Sequence, residues 1–128
     1  MALGMIALGA LAAAGAAAQP ARAELFGVEE MRALCRGEAA DARGFRTEAG
    51  NRLLAQVSRE RCRMYLLGLA EARLQRIEPD ARARCLPAGT ADAVADALAE
   101  ALVEPSEAPG GTVDTFVQET LRARFGCP

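Results

Sequence analysis

CLPAGTADAVADALAEAL, the run from Cys85 to Leu102, sets a cysteine, a proline and a glycine close together and then passes straight into a helical pattern. Thr90 is a suitable N-cap, and Asp92 falls in the first turn, where the helix dipole favours negative charge. Val94, Leu98 and Leu102 recur at spacing four, the stripe of an amphipathic helix that must stop before Pro105. The cysteine at the entrance of this helix takes its meaning from the other three and from the compartment they imply.

The same signals recur on either side. Gly27 to Arg36 reads as a first short helix, with Val28, Met31, Leu34 and Cys35 on one side and Gly37 as its stop. Glu38 to Gly50 is polar and punctuated by glycine, which predicts a loop. A long helix follows, from near Asn51 or Ser58 to about Ile77, and Glu78-Pro79-Asp80 ends it. Its middle, MYLLGLA (Met64 to Ala70), is apolar on every side, the mark of a deeply buried helix. After Pro105-Ser106-Glu107-Ala108-Pro109-Gly110-Gly111, Thr112 caps a last helix with Val113, Phe116, Val117, Leu121 and Phe125 along one face. No strong strand candidate appears. The expected fold is all-α, a small four-helix bundle in one domain.

Composition removes several function classes. The basic side is entirely arginine, and 15 Arg against 17 Asp plus Glu give a formal net charge of −2 and a pI near 5.2. Without a long basic run, nucleic-acid binding has little support. The chain has no histidine. It therefore lacks the commonest general base and metal ligand, and the Ser-His and Cys-His nucleophile pairs. No cofactor, metal or catalytic residue is expected, and an enzyme is disfavoured.

Residues 1–23 are expected to be a signal peptide. Met1 to Ala18 is almost entirely Ala, Gly, Leu, Ile and Met, and Ala21-Arg22-Ala23 offers a cleavage pattern before Glu24; Ala16-Ala17-Ala18 is a second candidate. No Arg or Lys precedes the apolar run. The alternative is an uncleaved anchor, but an Ala/Gly-rich run of this length is marginal for crossing a bilayer. Residues 24–128 are then the folded domain, with no stable membrane association after cleavage.

Export makes disulfides the expected state of Cys35, Cys62, Cys85 and Cys127, which contain no C-x-x-C pair that would suggest zinc or redox chemistry. Four cysteines allow three connectivities. If consecutive helices are antiparallel, Cys35 at the end of the first meets Cys62 in the second. Cys85, before the third, then meets Cys127 after the fourth. With four Phe, one Tyr and no Trp, the core is thin and such staples matter.

Cys62-x-x-Tyr65-x-x-Gly68-x-x-Glu71, then Cys85-Leu86-Pro87-x-Gly89, a helix and a terminal Phe125-x-Cys127 resemble the Rap/Tai family of type VI secretion immunity proteins. The resemblance runs from about Cys35 to Cys127. Met64 stands where that family has glycine, Glu71 where it has aspartate, and Gly126 where it has proline. Glu104-Pro105-Ser106-Glu107 replaces its His/Asn-Pro-Glu. The resemblance implies a periplasmic protein that binds a cell-wall amidase effector injected by neighbouring cells and blocks its active site.

Glu104, Ser106 and Glu107, on a polar turn between prolines, are the candidate contact residues. Tyr65 and Gly68 read as packing positions, with Gly68 allowing close helix approach. Arg59, Arg61 and Arg63 read as a solvated face. The family resemblance and the two nearly apolar faces of the third helix (Ala91, Ala95 and Ala99 opposite Val94, Leu98 and Leu102) point to a homodimer. The rival reading is a periplasmic disulfide-bonded chaperone.

Overall fold

The computed structural model describes residues 26–38, 47–86, 90–104 and 111–128. These residues form five helices and no strand: α1 (Val28–Cys35), α2 (Glu48–Leu74), α3 (Pro79–Cys85), α4 (Ala91–Val103) and α5 (Val113–Phe125). The all-α class is as expected. Among the described residues the helix count is five, not four.

Each boundary has a local cause. Glu30 Oε2 accepts the Gly27 N–H at 3.2 Å and fixes the start of α1. At its end, Gly37 takes φ +79°, and the amides of Gly37 and Glu38 return to the carbonyls of Leu34 and Ala33. That pair of bonds is the Schellman stop. Helix α2 begins earlier than the sequence suggests. Thr47 accepts the Gly50 N–H through its hydroxyl at 3.1 Å, so the glycine read as loop lies buried in the first turn. Pro79, expected only to end α2, occupies the first turn of α3, where its missing N–H costs nothing. Cys85 is accordingly the last residue of α3 and not the doorstep of α4. Thr112 caps α5 as expected, its hydroxyl accepting the Thr115 N–H at 3.1 Å.

Helices α2 and α4 form the central pair, and α1 and α5 pack against both. Ser58, Cys62, Leu66 and Ala70 make the inward stripe of α2 at strict spacing four. Cys62, Leu66 and Ala70 meet Met31 of α1, Val94, Leu98 and Leu102 of α4, and Val113, Val117 and Leu121 of α5 in one core. Burying the Leu, Val and Met side chains among them contributes roughly 1.5–3 kcal/mol each. The MYLLGLA segment is not apolar surface buried all round. Leu66 and Ala70 face the core, Tyr65, Leu67 and Leu69 are half-buried, and Met64 is 65% exposed. One side of α2 faces outward.

Both expected bridges are present. Cys35–Cys62 and Cys85–Cys127 have Cα–Cα distances of 5.1 and 5.2 Å, within the span a disulfide requires. Gly126 makes the second one reachable. At φ +69° it turns the chain end back, with the Gly126 and Cys127 amides returning to the carbonyls of Arg122 and Leu121. A proline, locked near φ −65°, cannot make this turn.

Polar side chains join the helix ends. Arg32 is buried, and its Nε donates to the Leu102 carbonyl at 2.8 Å, satisfying an acceptor in the last turn of α4. Arg73, near the end of α2, holds Asp114 in the first turn of α5 through two bonds, Nε to Oδ1 at 3.0 Å and Nη2 to Oδ2.

Candidate partner-binding surface

Three regions bear on partner binding. The first is the turn named from the sequence. Glu104 directly follows α4 and is exposed, and its carboxylate accepts from Arg124 of α5 at 2.8 Å. Ser106 and Glu107 lie outside the described residues. The structure therefore gives one of the three candidates a place and a partner.

The second is the arginine group around Cys62. Arg59 and Arg61 are exposed, as a solvated face requires. Arg63 is not part of that face. It turns toward α4, where its guanidinium contacts Glu60 at 3.2 Å, Asp96 at 2.9 Å and Asp92 at 3.7 Å. The Glu60 hydrogen bond, followed by the Asp96 charge, raises the Arg63 pKa above its ordinary value. Arg63 is thus a permanent cation joining α2 to the start of α4. Sequence reading missed this because the three carboxylates come from two helices.

The third is a cleft between the C-terminal half of α2, α3 and the start of α4, about 600 Å³ in volume. Leu67, Leu74, Leu86 and Val94 give it an apolar lining, and exposed Glu71 of α2 and half-buried Arg82 of α3 border it. Neither charged group has an ion pair or side-chain hydrogen bond among the described residues. Glu71 and Leu86 belong to two separate stretches singled out in the sequence, and the fold brings them to one place. The proline and glycine of the second stretch, Pro87 and Gly89, lie outside the described residues.

The remaining motif positions divide. Tyr65 packs its ring edge-on against Phe26 with centroids 5.2 Å apart, so it is a packing residue as expected. Gly68 is exposed, and a Cβ built there meets no atom of the described residues within 4 Å. It is not a point of close helix approach.

No family model matches this chain, and no curated protein or solved structure matches it either. Function has to be argued from the surface.

Among the described residues no cluster of His, Cys, Asp or Glu is arranged to hold a metal, and no helix is long and apolar enough to cross a membrane. Leu53, Val57 and Met64 lie on one outward line of α2, 55%, 41% and 65% exposed. On α4, by contrast, Ala95 is buried and Ala99 packs against the core, so the alanine face is largely taken up within the chain.

Proposed function

We propose that this chain is an exported immunity protein that binds a peptidoglycan amidase delivered by type VI secretion and blocks its active site in the periplasm. One observation carries the reading. The stretches that resemble the Rap/Tai family contribute cysteines to two disulfides that tie the helical scaffold, and Glu71 and Leu86 from those stretches line one cleft. Disulfides fit an oxidising compartment. A stapled scaffold loses little conformational freedom on binding, which favours tight inhibition. Glu104, Ser106 and Glu107 remain the proposed contact turn.

The test is direct. The oxidised protein is titrated against a panel of peptidoglycan amidases while release of cell-wall fragments is followed. Stoichiometric inhibition of one member, lost after reduction and unfolding, is the expected result. No inhibition across the panel, together with no protection of cells that export those amidases, removes the proposal.

The outward line of Leu53, Val57 and Met64 favours one addition and one rival. It gives the proposed homodimer a surface that the alanine face of α4 does not. It also suits a chaperone that holds apolar client segments. Sedimentation separates them: a dimer that Leu53→Glu dissociates supports the first. A monomer that suppresses aggregation of unrelated unfolded proteins supports the second.

A further inference from the structure

We propose that the cleft between α2, α3 and α4 receives a partner loop carrying one aliphatic or aromatic side chain, with a basic residue on one side of it and an acidic residue on the other. The inference deepens the function proposed above and rests on it only for the identity of the partner. At about 600 Å³ the cleft has the size of a specific binding pocket. Its lining divides by chemistry. Leu67, Leu74, Leu86 and Val94 supply an apolar seat, and only Val94 of these four is fully withdrawn from solvent. Glu71 on α2 and Arg82 on α3 stand as opposite charges with no ion pair of their own among the described residues.

That pattern selects its occupant. A purely apolar side chain leaves both charges partly desolvated and unpaired, which costs binding free energy. A highly charged segment wastes the apolar lining. A loop with an apolar anchor, a cation toward Glu71 and a carboxylate toward Arg82 satisfies all three parts at once. Anchors seated in pockets of this kind carry most of the energy of protein interfaces.

The cleft can be closed without touching the core. Ala83 on α3 and Ala91 on α4 are both exposed residues at its edge. The experiment uses the oxidised full chain and its Ala83→Trp, Ala91→Trp and Glu71→Arg variants, each checked for unchanged helical circular dichroism. A displayed library of random twelve-residue peptides is panned on the wild type. The expected peptides share an apolar residue flanked by Lys or Arg and by Asp or Glu. Their affinity falls at least tenfold for either tryptophan variant, and Glu71→Arg reverses the preference at the basic position. The inhibited amidase should follow the same order. Recovery of no shared motif, or peptides that bind the tryptophan variants as well as the wild type, overturns the proposal. An amidase inhibited equally by all variants places the immunity contact elsewhere and removes the cleft from it, while leaving the immunity reading intact. A protein that inhibits no amidase but still selects the motif removes the immunity reading and leaves the cleft.

Discussion

Two glycines show how one residue type answers opposite demands. Gly37 has φ +79°, and a Cβ there would stand 2.7 Å from Arg59 Nη1 and 3.1 Å from the Ala55 carbonyl oxygen. Left-handed backbone costs a non-glycine residue about 1–2 kcal/mol before any clash is counted. Gly68 is the reverse case. It sits inside α2 with open space around it, so it gives the helix only the extra freedom of its unfolded state. Gly37→Ala should therefore lower the unfolding free energy by about 1–3 kcal/mol, the clash adding to the backbone term. Gly68→Ala should raise it by about 0.5–1 kcal/mol. Urea unfolding followed by helical circular dichroism measures both. A loss on Gly68→Ala would mean that its open space is filled by something else in solution, such as a second molecule.

At the scale of elements, Glu104 carries two possible roles that one experiment can separate. It closes an exposed ion pair with Arg124, and such pairs are worth roughly 0–1 kcal/mol. It also borders the proposed contact turn. Glu104→Arg alone should cost less than about 1 kcal/mol of stability. The exchange Glu104→Arg with Arg124→Glu should return most of that by restoring the pair in reverse. If Glu104 touches the amidase, both variants should lose at least tenfold in affinity, about 1.4 kcal/mol. If only its pairing matters, the exchange should rescue binding along with stability. The elements themselves were legible to the extent that their signals are local. Thr112 with Val113, Phe116, Val117 and Leu121, and Gly37 after Cys35, predicted α5 and the end of α1 from neighbouring residues alone. Where one residue serves two purposes the reading slipped. Pro79 is both a stop and a start, which hid α3, and Gly50 tolerates a helix that Thr47 caps. What no single stretch contains is juxtaposition. Arg63 among Glu60, Asp92 and Asp96, and the meeting of Glu71, Arg82 and Leu86 in one cleft, depend on how separate helices pack.

For the whole molecule, the two bridges do unequal work. Cys35 and Cys62 are both buried, and their bridge joins α1 to α2, helices that already pack on each other. Cys85 is half-buried, and its bridge joins α3 to the chain end. None of the residues of α3 is fully buried, so among the described residues little besides this bridge and the partial packing of Cys85 and Leu86 secures it. In the chain-entropy model, separations of 27 and 42 residues correspond to about 3.5 and about 4 kcal/mol of stabilisation. The consequences should differ more than those figures do. Limiting reductant should open Cys85–Cys127 before Cys35–Cys62, because Cys85 is a half-buried residue whereas Cys35 and Cys62 are both buried. In Cys85→Ser with Cys127→Ser, amide exchange should accelerate first in α3 and in the last residues of the chain. The amides of α2 and α4 should stay protected until global unfolding. Removing Cys35 and Cys62 should instead weaken protection across α1 and the core together. Mass mapping of partly reduced protein and exchange followed by peptide mass spectrometry measure this order. Should the core amides of α2 and α4 open together with α3 when only the second bridge is removed, α3 is part of the cooperative core. The cleft it helps to form is then as rigid as the bundle itself.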